Sequence, residues 1–239
     1  FRAPVVGTGG ADAKTAGTTV FEDESVRLWH SGDEVLVLSL KTKMHVIGGG
    51  VIKGLQRGLE EAEKGYKGLV IWNTDAADGG AFSAGADLQE SLPLFMQGGA
   101  KALGPIVAEL QNTFMKLKYS NVPVVAAVAG LALGGGCEMA LHASKRVASI
   151  ESYIGLVEVG VGLIPAGGGL KEAAVRAARD AKGNDILQFL KNGFTNAAMA
   201  NVSKSALEAK AMGYLKEDDI IVFNPYELLH LAKVTARSM

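Results

Sequence analysis

A chain of 239 residues can bury a substantial core without disulfides, and Lys+Arg 24 against Asp+Glu 25 leaves a formal charge of -1. That balance argues against nucleic acid or an acidic membrane surface as a whole-chain partner, and the lone cysteine, Cys137, excludes an internal disulfide framework or a multi-cysteine zinc site. The longest nearly apolar run, residues 123–137, is short of the roughly 18 apolar residues a spanning helix needs.

The first 19 residues are small and polar with no apolar period, the composition of a flexible leader or linker, and residues 20–239 are expected to form the folded domain. The chain opens on Phe1 and carries no signal-peptide pattern, which is expected of a piece of a longer cytoplasmic polypeptide. Apolar segments 26–29 and 35–40, separated by Ser31-Gly-Asp-Glu34, predict a β-hairpin. Val51, Ile52, Leu55, Leu59 and Ala62 share a helical face, with Gly65 at the expected C-cap, and a strand follows at 69–72. Residues 73–80 are a polar loop; Asp87 with Glu90 forms a capping-box pattern ahead of a long amphipathic helix over 100–118. Residues 123–130 predict a buried strand, 138–142 a helix launched from Gly134-Gly-Gly136, 146–150 a strand and 170–181 a helix. The tail from 203 predicts helix, short strand (219–223) and helix. Strand and helix alternate throughout, so the class is α/β.

Glycine is costly in backbone entropy, and 31 of them require a reason. Neither GxGxxG in a βαβ setting nor GxxxxGK[ST] is present, so nothing anchors a dinucleotide or a phosphate loop. Two loop-to-helix junctions remain: Phe82-Ser-Ala-Gly-Ala-Asp-Leu88 and Leu131-Ala-Leu-Gly-Gly-Gly-Cys-Glu138. Either alone also suits an ordinary helix cap. Together they can direct two backbone N–H groups at one oxygen, which is the requirement of an oxyanion hole. Glu138 sits among apolar residues at the second junction, and Glu158 is the single charge in residues 154–164. Two glutamates in apolar settings can divide acid and base roles. His30, His45, His142 and His230 have no metal-site spacing, no GxSxG nucleophile elbow occurs, and Cys137 has no evident partner base.

The segments AFSAGADL, PVVAAVAGLALGGGCEMAL and IGLVEVGVGLIPAGGG, in this order, closely resemble the crotonase superfamily of enoyl-CoA hydratases and isomerases. The resemblance spans roughly residues 24–223. It implies a crotonase-like spiral of ββα units, a coenzyme A thioester as substrate, and an enolate held by two backbone N–H groups. It assigns the oxyanion donors to Ala86 and Gly135, the catalytic carboxylates to Glu138 and Glu158, and coenzyme A contacts to Lys43, Met44, Ala84, Gly85 and Leu88. Both glutamates are retained, which implies syn hydration of a 2-enoyl-CoA in fatty-acid β-oxidation. A Δ3,Δ2-enoyl-CoA isomerase and a catalytically degenerate acyl-CoA-binding or scaffold domain are the alternatives.

The chain departs from the family pattern in several places. Residues 43–47 read KMHVI where K-A-L-N is usual, Leu156-Val-Glu158 stands for QPE, and Ala166-Gly-Gly-Gly-Leu-Lys-Glu172 for AGGTQRL. Residues 192–202 look inserted, and the family's terminal helices are expected to be missing. Overall the chain resembles the hydratase-like C-terminal region of a two-part 3-hydroxyacyl-CoA dehydrogenase. That resemblance implies no metal, no cofactor beyond the coenzyme A of the substrate, NAD only on a separate dehydrogenase domain, and a trimer-based homo-oligomer or a partner dehydrogenase domain.

Overall fold

A computed structural model describes residues 16–239; the segment read as a leader lies outside the described residues over 1–15, and Thr18 and Thr19 already belong to the first strand. Strands β1 (Thr18–Glu22), β2 (Val26–His30) and β3 (Val35–Leu40) form an antiparallel meander, with the predicted hairpin between β2 and β3. Helix α1 (Gly49–Gly65) then crosses to β4 (Gly68–Ile71), which pairs parallel to β3. Helix α2 (Leu88–Lys118) leads to β5 (Val124–Leu133), and α3 (Gly135–His142) to β6 (Lys145–Gly155), each new strand parallel to the last. Helices α4 (Gly169–Ala181), α5 (Ile186–Ala198) and α6 (Ala206–Ala211) precede the short strand β7 (Ile220–Val222) and the final helix α7 (Leu228–Ser238). The result is one 7-stranded sheet whose spatial order follows the chain.

Strand periodicity fixes which side of the sheet each residue serves. In β3, Leu36 and Leu38 face α1 and pack with Leu55 and Leu59, whereas Val35 and Val37 face the opposite side with Trp29, Val70 and Leu229 of α7. Both faces are therefore covered over the central strands, as parallel pairing requires, and β3, β4 and β5 read as nearly continuous apolar runs. Helix α1 can approach this closely because a side chain at Gly54 would lie 2.5 Å from Val26. A buried, bidentate Arg146–Asp219 pair, at 2.8 and 2.9 Å, fastens β6 to the segment entering β7.

Three details add to the sequence expectations. Asp87 caps α2 by accepting from the N–H groups of Gln89 and Glu90, but the Glu90 carboxylate turns away and accepts from Gly49 N–H. The capping box is thus half made, its second half spent on tying α2 to α1. Helix α2 starts at Leu88 and is bent at Gly99, whose φ of 60 and ψ of -151 no helical residue adopts. Residues 192–202, which look inserted by comparison with the family, complete α5 and the turn after it, where Asn196 and Asn201 are hydrogen-bonded to each other.

Candidate active site

The segments that follow β3, β4, β5 and β6 meet at one end of these strands. Asn73, at the end of β4, accepts from Leu40 N–H and donates to the carbonyls of Ala81 and Phe82, which fixes the approach to residues 83–86. Single bridges join Ile47 to Ala86 and Ser83 to Ala132, so this segment lies between the chain after β3 and the end of β5. Two glycines are conformationally required: Gly85 has φ +107, and Gly134, the residue before α3, has φ +51 with Glu158 filling the space beside it. Gly136 serves close approach, since a Cβ there would meet the Ser83 carbonyl at 2.5 Å.

This packing places Ala86 and Gly135 together: a Cβ on Gly135 would be 3.5 Å from the Ala86 nitrogen. Neither N–H donates a hydrogen bond within the described residues. Gly135 is the first residue of α3, where the N–H has no intrahelical partner. Both residues line a cavity of about 290 Å³, as do Ala84, Gly85 and Leu88. Lys43 and Met44 do not line it; they are exposed on the adjoining 3-10 turn, where the Met44 carbonyl accepts from Ala84 N–H. Apart from Glu90 and Ser91, the remaining wall is mostly apolar and includes Ile52, Leu103, Ile106, Val107, Leu163 and Ile164.

Glu138 and Glu158 enter the same cavity from different elements. Glu138, in the first turn of α3, is 2% exposed, and its two oxygens accept from Gly169 N–H at 2.8 Å and Gly167 N–H at 3.0 Å. Those donors flank Gly168, the N-cap of α4, so the carboxylate rests on a helix N-terminus. Burial nevertheless pushes its pKa up to about 7: the Gly169 N–H opposes the rise, the charge of Glu158 adds to it, and the Gly167 N–H opposes it again. Glu158 is half-buried in the 3-10 turn Glu158–Val161, and neither of its shielded carboxylate oxygens has a hydrogen-bond partner. Burial raises its pKa too. One acid is therefore clamped and the other is open to a new hydrogen bond.

Sequence reasoning missed the clamp: Gly167 and Gly169 were legible as a helix start, but their partner lies about thirty residues away and no local pattern announces it. Cys137 is fully buried and does not line the cavity, and burial pushes its thiol well above the usual range, so it is not a nucleophile here. Among the described residues no cluster of three or more metal-ligating side chains occurs, and no helix is long and apolar enough to cross a membrane.

Residues 34–211 match the family model described as enoyl-CoA hydratase/isomerase. A probable 3-hydroxyacyl-CoA dehydrogenase of Bacillus subtilis is 41% identical over 97% of this chain and 28% of its own length. A putative fatty acid oxidation complex trifunctional enzyme of Rickettsia felis is 39% identical over 67% of this chain and 22% of its own. The chain thus spans 28% or less of the length of these curated relatives. Among solved structures, an enoyl-CoA hydratase from Bacillus anthracis superposes with a TM-score of 0.69 at 23% identity, covering 90% of this chain and 76% of that one. At that identity the likeness establishes the fold, a crotonase-type α/β spiral.

Proposed function

Because this chain belongs to the enoyl-CoA hydratase/isomerase family, we propose that it adds water syn across the double bond of a 2-enoyl-CoA in fatty-acid β-oxidation, as one module of a 3-hydroxyacyl-CoA dehydrogenase polypeptide. The observation that carries this reading is the convergence of two carboxylates and two undonated N–H groups on one apolar-walled cavity. The thioester carbonyl oxygen accepts from Ala86 and Gly135, so negative charge arriving on it in the enolate is met by donors already in place. One carboxylate takes a proton as water oxygen bonds to Cβ; the other returns a proton to Cα. Water is the only co-reactant, so the step balances with no cofactor beyond the coenzyme A of the substrate. NAD would serve a later oxidation on another part of the polypeptide.

Isomerisation of a 3-enoyl-CoA moves one proton and needs one carboxylate. Retention of the second, with both oxygens free to bond, favours hydration. The test compares crotonyl-CoA and a 3-enoyl-CoA as substrates for the wild type, Glu138→Gln and Glu158→Gln. The reading expects hydration in the wild type, collapse in both variants, and acyl-CoA binding in all three. Binding without either reaction in the wild type would instead identify a binding module.

A further inference from the structure

The turn that clamps Glu138 is built from Gly167, Gly168 and Gly169, with Gly168 at φ +114, and such a segment does not hold a carboxylate unless something holds it. What holds it is a closed circuit of hydrogen bonds. His142, one helical turn beyond Glu138, donates from Nδ1 to the Glu138 carbonyl at 2.7 Å. Because a carbonyl only accepts, the neutral ring keeps its lone pair on Nε2, and Lys171 Nζ donates to it at 2.9 Å. Lys171 also bonds the Glu172 carboxylate, which accepts from Lys118 of α2 at 2.5 Å. Glu172 N–H closes the circuit on the Gly168 carbonyl at 2.9 Å. The ring of His142 fills the space beside Gly168, where a Cβ would meet it at 2.8 Å.

We propose that Glu172, through Lys171, Lys118 and His142, is a positioning residue that holds the Gly167–Gly169 turn against the Glu138 carboxylate. Lys171 and Glu172 are two of the four positions, with Gly169 and Leu170, at which this segment departs from the family's AGGTQRL, so that part of the departure becomes support for the site. This rests on Glu138 acting in the reaction proposed above. Glu172 is buried, and although burial alone would raise its pKa, the hydrogen bonds from Lys118 and Lys171 hold it down to about 2. It is therefore a fixed anion across the working pH range. The other groups that act on this site are Glu158 from the 3-10 turn, whose charge raises the Glu138 pKa, Glu90 of α2 on the same cavity wall, and Cys137 next to Glu138 on α3, with Arg176 of α4 acting on Cys137.

Charge and position predict opposite outcomes for Glu172→Gln. Removing a nearby negative charge would by itself lower the Glu138 pKa. Releasing the turn weakens two N–H bonds that stabilise the carboxylate, and so raises it. The experiment labels glutamate carboxyl carbons with carbon-13 in the full chain, assigns Glu138 from the signal lost in Glu138→Gln, and titrates it alongside the pH profile of crotonyl-CoA hydration. The proposal expects Glu172→Gln to move the Glu138 pKa upward by about one unit, kcat to fall more than KM changes, and Lys171→Arg to stay near wild type. A downward or absent shift overturns it. If Glu172→Gln does not fold, Glu172→Asp decides: it keeps the charge but shortens the reach, so positioning expects a smaller upward shift and charge alone expects none. The NMR readout needs no turnover, so an upward shift in a wild-type background that lacks hydration would uphold the positioning and reject the assigned reaction.

Discussion

Gly167→Ala perturbs the clamp at one point. The backbone there is not left-handed, so alanine is conformationally acceptable, but its Cβ would stand 2.3 Å from Glu138 Oε2 and 2.9 Å from its carboxyl carbon. Ordinary contact begins near 3.4 Å, so the carboxylate must recede by about 1 Å. Phe114, 3.2 Å from the same Cβ, blocks relief on the other side. The strain falls on a side chain rather than on backbone, so the protein folds, with a loss of about 1–3 kcal/mol as the displaced carboxylate loosens its N–H bonds. A reacting group misplaced by about 1 Å costs on the order of 10²-fold in rate. The assay follows loss of the enoyl-thioester absorbance of crotonyl-CoA, with acyl-CoA affinity measured by calorimetry. The expected result is kcat reduced by about 10²-fold with affinity retained. Wild-type turnover in folded Gly167→Ala would show that the position of the Glu138 carboxylate does not matter to the chemistry.

Glu138 also links stability to pH. Its pKa rises from 4.5 to about 7 on folding, so the folded state binds that proton more tightly, and stability falls as pH climbs between those values. The cost of burying the ionised form is on the order of 3 kcal/mol above pH 7, and Glu138→Gln should flatten this component; equal urea midpoint changes between pH 5 and 8 in both proteins would contradict it. Gly135→Pro removes one N–H at the first position of α3, where proline suits a helix and a Cβ meets only ordinary contacts. Turnover should drop about 10²–10³-fold in a folded protein, and unchanged turnover would assign Gly135 to packing alone.

Legibility in the sequence followed the range of the interactions. The hairpin of β2 and β3, the buried run of β5 and the helix behind Gly134-Gly-Gly136 are local patterns, and each lies where the residues predict. Glu138 and Glu158 stood out because a charge in an apolar segment is itself a local anomaly. Helix α5 was obscured because Leu187 and Phe194 point outward, so its apolar period does not mark an internal face. The second half of α2's capping box failed because Glu90 found a long-range partner in Gly49. The circuit from Glu172 to Glu138 was invisible for the same reason: it joins α2, α3 and α4, and only folding brings Lys118 beside Glu172.

The most direct measurement incubates the wild-type chain with crotonyl-CoA in oxygen-18 water and reads the mass of the hydroxyacyl product, with Glu158→Gln in parallel. The account predicts 3-hydroxybutyryl-CoA carrying one labelled hydroxyl oxygen from the wild type, and near-background product from the variant although it still binds acyl-CoA. Product at the solvent rate from a wild type that binds the thioester, or full labelling by the variant, would contradict the assignment of this cavity and its two carboxylates to hydration.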